Sequence, residues 1–446
     1  MPKALIFNEW HELADPERAT SAAVRGFETT RRLAAWKRSD ILRKTAEGLA
    51  RRKEELARTI TEENAKTIRL SRAEVDRAAM TFTAASEEAK RIGGEVLPLD
   101  LAPTSEGRIG ITRRMPLGPI LGIAPFNFPL NLVAHKVAPS IAAGNTIVIK
   151  PASSTPRIAL LLGEILLEAG MTPGMVNVLP CPASVAGKMV ADDRFKLVTF
   201  TGSPAVGWEL KKKAGRKRVT LELGGNAAVV VHEDADLERA AERCVAGAFA
   251  YAGQVCISVQ RIYVHEPVAG AFAAKVVEKA SKLVAGDPMD DRTDLGPMID
   301  EEAAKRAEGW IEEALAGGAT ALLGGRRDGR FLPATVLENV PRTSKLHGSE
   351  AFAPIVNLYR YRDFDAALHG VNDSPYGLQA GVFTRDIGRI LRAHRELEVG
   401  AVLANEVPSW RLDTMPYGGE KESGLGREGV RYAIEEMTQL RLLTLG

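Results

Sequence analysis

Leu197-Val198-Thr199-Phe200-Thr201-Gly202-Ser203 is a short apolar run that stops at a Gly-Ser pair. The same pattern recurs on both sides of it. Between residues 118 and 232, apolar runs at 120–124, 146–150, 176–179, 197–201 and 227–231 alternate with helical segments such as 157–169. Alternation of this kind predicts an α/β fold, a parallel sheet with helices on both faces. Ligands of such sheets sit beyond the carboxyl ends of the strands. Asn127, Lys150 and Thr201-Gly202-Ser203 all fall at or just past such ends. A second alternating set, 260–264, 272–285, 332–337 and on to Val402, predicts a second α/β domain. Before the first set, 15–92 reads as helices, amphipathic over 38–61 and 73–91.

Reactive groups gather after the quoted run. Leu221-Glu222-Leu223-Gly224-Gly225-Asn226 places a carboxylate at the end of an apolar segment. Gly253-Gln254-Val255-Cys256-Ile257-Ser258 places a cysteine just after an alanine-rich helix over 236–251. Both positions face a cleft, where a carboxylate activates water and a thiolate attacks a carbonyl. Leu221 and Leu223 give Glu222 a semi-apolar setting that raises its pKa. Cys181 and Cys244 read as small buried hydrophobes, the default for a free cysteine.

These segments together resemble the aldehyde dehydrogenase superfamily. Five motifs stand in the family's order: Pro125-Phe126-Asn127-Phe128-Pro129, Ile149-Lys150-Pro151, Phe200-Thr201-Gly202-Ser203, Glu222-Leu223-Gly224-Gly225 and Gly253-Gln254-Val255-Cys256. The resemblance runs from about Thr30 to the C-terminus. It implies a Rossmann-like parallel-sheet cofactor domain over 1–222, interrupted by an oligomerisation segment near 100–117. It further implies a catalytic α/β domain over 223–415, a return to the cofactor domain over 416–435, and an oligomerisation strand over 436–446. The family's opening strands are expected to be shortened or missing. The strand-like segment 107–114 is expected to pair with 440–445 of a neighbouring subunit, in a homodimer or homotetramer.

The resemblance also assigns roles. Cys256 is the nucleophile, Glu222 the general base and Asn127 the oxyanion donor, with Lys136 beside them. An aldehyde is oxidised to its acid through a cysteine thiohemiacetal and thioester, with NAD or NADP as cofactor. Ile123, Phe126, Lys150, Ser153, Thr201, Gly202, Ser203, Gly224, Glu350 and Phe352 line the cofactor path. Ala353 stands where glycine is usual. Strict NAD users in the family carry a glutamate three residues after the lysine; this chain has Ser153, so NADP is expected at least comparably to NAD. A literal Gly-x-Gly-x-x-Gly at Gly424, Gly426 and Gly429 follows no strand and fails as a dinucleotide fingerprint.

His135, Val255, Ile257, Arg411 and Tyr417 are the expected substrate pocket, for a small aliphatic, hydroxy- or anionic aldehyde. The Arg411-x-Asp413-x-Met415-Pro416 loop resembles the lactaldehyde and phosphonoacetaldehyde dehydrogenase branch. Arg411 either reaches an anionic tail or pairs with Asp413 or Glu406 to shape the loop. Three rivals remain: a CoA-acylating semialdehyde dehydrogenase that would not need Glu222, a cysteine hydrolase using His265 as base, and a silent structural member. The last would be expected to have lost Cys256, Glu222 or Asn127, and all three are present.

Composition bounds these readings. A chain of 446 residues suggests two or three domains, and 45% hydrophobic with 26% charged residues fits a globular protein. A formal net charge of +2 points to neither nucleic acid nor an anionic membrane surface. The one dense basic patch, Lys211-Lys212-Lys213 with Arg216-Lys217-Arg218, reads as a solvated helix end. Three cysteines make no disulfide framework and no zinc spacing, and the seven histidines are scattered singly, so no metal is expected. Residues 1–10 carry no apolar signal core, and a cytoplasmic location is expected. Residues 115–135 lack acidic and basic side chains, but Pro116, Pro119, Pro125 and Pro129 break them as a membrane span.

Overall fold

The computed structural model describes residues 3–446; Met1 and Pro2, the start of the stretch read for a leader, lie outside the described residues. Five parallel strands form the middle of the first sheet, in the order Arg218–Glu222, Leu197–Thr201, Ile120–Ile123, Ile147–Lys150 and Val176–Val178. The last four are buried along their whole length, which is why they read as unbroken apolar runs. From Ile120–Ile123 the chain steps outward to Val176–Val178, then returns to lay Leu197–Thr201 on the other side. That reversal opens a crevice at the carboxyl ends of Ile120–Ile123 and Leu197–Thr201. Antiparallel strands close the edges: Gly424–Leu425 beside Arg218–Glu222, and the hairpin Ala4–Ile6 with Glu9–His11 beside Val176–Val178. The opening strands are therefore present, three residues each.

A second sheet has the order Thr320–Leu323, Thr335–Glu338, Ile355–Tyr361, Val259–His265, Ala227–Val231, Gln379–Phe383 and Ala401–Ala404. All its pairings are parallel except the one at Thr320–Leu323. Ala227–Val231 thus belongs here and not with the first alternating set; Arg218–Glu222 takes the place expected for it. The two runs are separated by only four residues, and pattern alone does not show where the chain changes sheets.

The N-terminal region is helical: Pro16–Thr30, Ala35–Arg51, Lys53–Asn64 and Ile68–Glu88. The helix expected over 38–61 is broken at Arg52, whose φ of −98° and ψ of 20° leave helical geometry while its guanidinium pairs with Glu55 and Glu164. Asp15 and Asp236 cap Pro16–Thr30 and Leu237–Phe249 by accepting from Arg18 and Arg239 backbone N–H groups.

A third, three-stranded sheet joins Thr438–Leu445, Ile109–Pro116 and Val96–Pro98. Residues 440–445, expected on a neighbouring subunit, pair antiparallel with Ile109–Arg114 of the same chain. Both strands lie within one antiparallel ladder running from Thr438 opposite Pro116 to Leu445 opposite Ile109. Leu440, Leu442, Leu443 and Leu445 stay exposed on it. Among the described residues no helix is long and apolar enough to cross a membrane.

A fully buried ion pair fixes the loops that carry the reactive groups. Lys66 Nζ donates to Glu74 Oε2, and neither side chain has exposed surface. Glu74 Oε1 accepts the backbone N–H groups of Leu130 and Asn131, at 2.9 and 3.1 Å, and so caps helix Asn131–Ala143 from a different helix. The Lys66 ammonium lies 3.7 Å from the centroid of Phe128 and 4.7 Å from that of Tyr251. Asn64, at the left-handed end of its helix, donates to the Phe126 carbonyl at 2.9 Å, and its own carbonyl accepts from Tyr251 Oη at 3.0 Å. One corner thus ties the loop before Asn127 to the loop before Cys256. Glu74→Gln keeps both backbone contacts but leaves a buried ammonium without its counter-charge. It should cost about 3–5 kcal/mol of unfolding free energy, read by denaturant titration, and Lys66→Met in the same chain should recover most of that loss.

Candidate active site

Helix Leu237–Phe249 delivers Cys256 through a tight kink. Tyr251 and Ala252 both have φ of 51°, and Gly253 follows at 66°. Gly253 cannot carry a side chain, since a Cβ there would lie 2.0 Å from the Ala353 carbonyl oxygen. Glu222 ends the strand Arg218–Glu222, where Gly424 pairs with it across the sheet. The glycine-rich segment that fails as a fingerprint therefore serves as the edge strand supporting Glu222.

Cys256, Glu222 and Asn127 line one cavity of about 390 Å³. Val255, Ile257, Arg411 and Tyr417, expected for a substrate, share its wall. Phe126, Thr201, Gly202, Ser203, Gly224, Glu350 and Phe352, expected for the cofactor, share it too. A second cavity of about 270 Å³ is lined by Ile123, Lys150 and Ser153. Pro125, Phe126, Thr201 and Gly202 belong to both, so the two form one path across the crevice of the first sheet. Two expected residues lie off the wall. His135 is buried behind Arg411, its Nε2 2.8 Å from Asp413 Oδ1. Lys136 is buried too, donating to Thr199, Thr201 and Glu428 at 3.1, 2.8 and 3.0 Å. Both sit on a helix buried along its whole length, so their polar ends reach neighbouring groups and not open space.

The electrostatics divide the carboxylates. Burial, reinforced by the neighbouring Glu428, pushes Glu222 well above the ordinary range, and neither of its oxygens has a hydrogen-bond partner. Glu428 is held below that range by Lys136, His135 and Arg411, which outweigh its own burial. Burial pushes Glu350 up to about 7, although its Oε1 accepts the Gly225 N–H at 2.9 Å. The Cys256 thiol is pushed up to about 12 by burial, against the pull of its contact with Tyr417 Oη at 3.1 Å. Asn127 Nδ2 donates to the Gln254 carbonyl at 3.1 Å, directly beside the loop of Cys256.

Arg411 is engaged on several sides. Its guanidinium lies 3.6 Å from the Tyr417 ring centroid, 3.6 Å from Glu428 and 4.0 Å from Asp413, while its Nε has no hydrogen-bond partner. Glu406 pairs instead with Arg243 at 2.7 Å. Ser409, at the start of the expected pocket segment 409–417, lines the cavity, as do Arg77, Asn131, Arg306 and Glu428, which were not expected from the sequence. Arg77 makes a bidentate pair with Asp413, at 3.0 and 2.7 Å. Glu428 was within reach, in Gly426-Arg427-Glu428-Gly429, but that segment was read for phosphate and not for acid. Arg77 carried no signal, because nothing in a helix pattern says what its charged face meets.

The residues present fit a dinucleotide. Lys150 is the one charged group on the wall of the smaller cavity. Ser203 opens the ten-residue helix Pro204–Lys213 without a side-chain cap, leaving its first N–H groups for an anion. A Cβ on Gly224 would sit 2.5 Å from Glu350 Oε2, so glycine keeps the path open there. His265, the sequence-near base for a hydrolase, is not on the Cys256 wall. It stacks on His232 at 4.5 Å and 16° between planes and lies 3.4 Å from Glu233. These three are the one group among the described residues with donor atoms close enough for a metal; His232 Nδ1 is engaged with Tyr361 Oη at 2.7 Å and His265 Nε2 with the Arg362 carbonyl at 3.0 Å.

Comparison with known proteins agrees with this geometry. The model of the aldehyde dehydrogenase family matches residues 11–443. The chain is 47% identical to the 3-sulfolactaldehyde dehydrogenase of Priestia megaterium over 432 residues, 97% of this chain and 90% of that one. It superposes on aldehyde dehydrogenase 21 from Physcomitrella patens, solved with the reaction product succinate, with a TM-score of 0.96 and 42% identity, covering 100% and 95% of the two chains. It superposes on the glyceraldehyde-3-phosphate dehydrogenase GapN from Methanocaldococcus jannaschii, solved with NADP, with a TM-score of 0.93 and 40% identity, covering 96% and 94%. A chain that matches over nearly its whole length and carries a thiol, a carboxylate and a cofactor path on one crevice belongs to the aldehyde dehydrogenase family, as an NAD(P)-dependent oxidoreductase.

Proposed function

We propose that this aldehyde dehydrogenase oxidises a small aldehyde with an anionic tail, using NADP at least as well as NAD. The observation that carries the substrate reading is Arg411, a nearly buried guanidinium on the cavity wall it shares with Cys256 and with a second arginine, Arg77. The similar proteins named above act on, or were solved with, molecules bearing a sulfonate, a carboxylate or a phosphate. All three groups suit the planar fork of arginine.

The chemistry is set by the residues on the wall. With its proton passed to solvent, the Cys256 thiolate adds through Sγ to the aldehyde carbon, and the carbonyl π pair moves onto oxygen. That oxyanion is met by the Cys256 backbone N–H and the Asn127 amide, a donor of the kind worth about 3 kcal/mol in a transition state. The oxygen pair then re-forms the carbonyl as the former aldehyde C–H bond breaks with its electrons, leaving a thioester on Cys256; a nicotinamide bound along the crevice would supply the acceptor for that hydride. Glu222 then takes a proton from water, the water oxygen attacks the thioester carbon, and the sulfur leaves as thiolate. A raised pKa makes Glu222 a stronger base once ionised, so deacylation gains rate as pH rises through that value. Lys150 and Ser153 take the adenosine end, where no carboxylate lines the cavity to repel a 2′-phosphate. The exposed leucines of Thr438–Leu445 support assembly as a homo-oligomer, and three free cysteines support a reducing cytoplasm.

Replacing Glu222 with Gln should leave a first burst of reduced cofactor while steady-state turnover falls roughly 10²–10⁴-fold. Rapid mixing, with mass spectrometry for an acyl group on Cys256, checks this. Rescue of turnover by added CoA to wild-type rates would favour an acylating enzyme instead.

Arg411→Ala should raise KM for sulfonate- or carboxylate-bearing aldehydes far more than for alkanals of equal length. Because its guanidinium also lies on Tyr417, kcat should fall for both kinds. An equal change of KM for the two would mean the arginine only shapes the loop.

Ser153→Glu should lower kcat/KM for NADP by roughly 100-fold and change that for NAD little, since a carboxylate meets the 2′-phosphate with like charge. A variant with its NADP preference intact would remove Ser153 from the cofactor site.

A further inference from the structure

The sulfur of Cys256 has one hydrogen-bond partner among the described residues, the hydroxyl of Tyr417 at 3.1 Å. The donors otherwise expected beside it make no hydrogen bond to it. Asn127 Nδ2 gives one N–H to the Gln254 carbonyl and has no hydrogen bond to the sulfur, its second N–H being the one available to an oxyanion. Arg411 lies on the Tyr417 ring, 3.6 Å from its centroid. No histidine lines the cavity. Tyr417 is itself held in place. Its N–H donates to the Glu428 carbonyl at 3.0 Å, and its carbonyl accepts the Glu428 N–H at 2.6 Å. Its ring is buried against Ile257 and Leu378, with Val255 and Cys256 packed beside them.

We propose that Tyr417 is a catalytic residue, whose O–H donates to the Cys256 sulfur and holds it as the attacking and leaving thiolate, with the Arg411 cation on the ring face strengthening that donor. This goes beyond the substrate-pocket role expected for Tyr417 and rests on Cys256 being the nucleophile.

Three physical arguments lead there. A thiol in this setting resists ionisation, because burial and the neighbouring Glu350 and Glu222 all disfavour negative charge on sulfur. A hydrogen bond to the charged form opposes that cost, and a bond to an ionised acceptor is about twice as strong as a neutral one. A cation over the ring face draws electron density from the phenol and makes its O–H a better donor, while burial keeps the phenol from ionising itself. The bond is needed at two moments: when the sulfur pair forms the S–C bond, and when the S–C bond of the thioester breaks and returns that pair to sulfur. The proton on Tyr417 Oη stays on oxygen throughout, so no acid or base is consumed.

The test is the rate of alkylation of Cys256 by iodoacetamide from neutral to alkaline pH, located by mass spectrometry, together with steady-state kinetics. Tyr417→Phe removes only the hydroxyl. Its alkylation inflection should move up by about one pH unit or more, and kcat/KM at neutral pH should fall roughly 10- to 100-fold. The loss should shrink as pH rises, with KM for the aldehyde little changed. Incorporating 3-fluorotyrosine at 417, which acidifies the phenol, should move the inflection down. That arm decides the matter if the phenylalanine variant does not bind cofactor as the wild type does. An unmoved inflection in a folded variant, or a loss of rate that alkaline pH does not relieve, overturns the proposal. Undiminished turnover by Cys256→Ser would instead overturn the assignment of the nucleophile, whatever the tyrosine variants do.

Discussion

The contact between Lys66 and Glu74 is one on which the reactive loops depend. Two charges without exposed surface are tolerated because each is used several times. The carboxylate takes the ammonium with one oxygen and two backbone N–H groups with the other. The ammonium faces Phe128 and Tyr251 as well as its counter-ion. Burial nonetheless draws Lys66 down to about 8, so the pair sits close to the limit of what its contacts offset. Its return is geometric: helices from the N-terminal region set the distance between the Asn127 loop of one sheet and the Cys256 loop leading into the other.

The cavity between those loops sorts its own charges. Two buried carboxylates, Glu222 and Glu428, compete for the same cations, and Glu428 wins. Lys136 reaches it at 3.0 Å and Arg411 at 3.6 Å, whereas Glu222 has no hydrogen-bond partner. One carboxylate therefore holds the negative charge that keeps the buried cations in place. The other is left with a high proton affinity beside the sulfur, which suits a base for water. Asp413 plays the part of Glu428 on the opposite flank, gathering Arg77, His135 and Asn131. Arg411 lies between these two acids, its Nε 4.0 Å from Asp413 and without a hydrogen bond.

Much of this was legible in the amino-acid sequence. Runs such as Leu197–Thr201 and Ile147–Lys150 read as buried parallel strands because both their faces are covered. Residues at or just past the strand ends, Asn127, Thr201-Gly202-Ser203 and Glu222, then had to lie along the sheet's carboxyl edge, where a doubly wound fold opens its crevice. Cys256 was separable from Cys181 and Cys244 by its motif, and the apolar flanks of Glu222 foretold its raised proton affinity.

Tertiary structure decided the rest, because periodicity reports that a residue is buried and not what it is buried against. Ala227–Val231 looks like its neighbours in sequence, yet long-range pairing with Val259–His265 and Gln379–Phe383 puts it in the second sheet. The pairing of 440–445 with 107–114 was expected between subunits, and the folded chain places Ile109–Pro116 beside Thr438–Leu445 within one chain. His135 and Lys136 share a motif-bearing helix with no exposed face, so their polar ends turn toward Asp413 and Glu428. Arg77 and Glu428 stand 351 positions apart and meet one cavity wall only through the packing of the N-terminal helices on the first sheet. Sequence order supplied the reactive types and the strands that end beside them; contacts between distant segments determined which charge faces which.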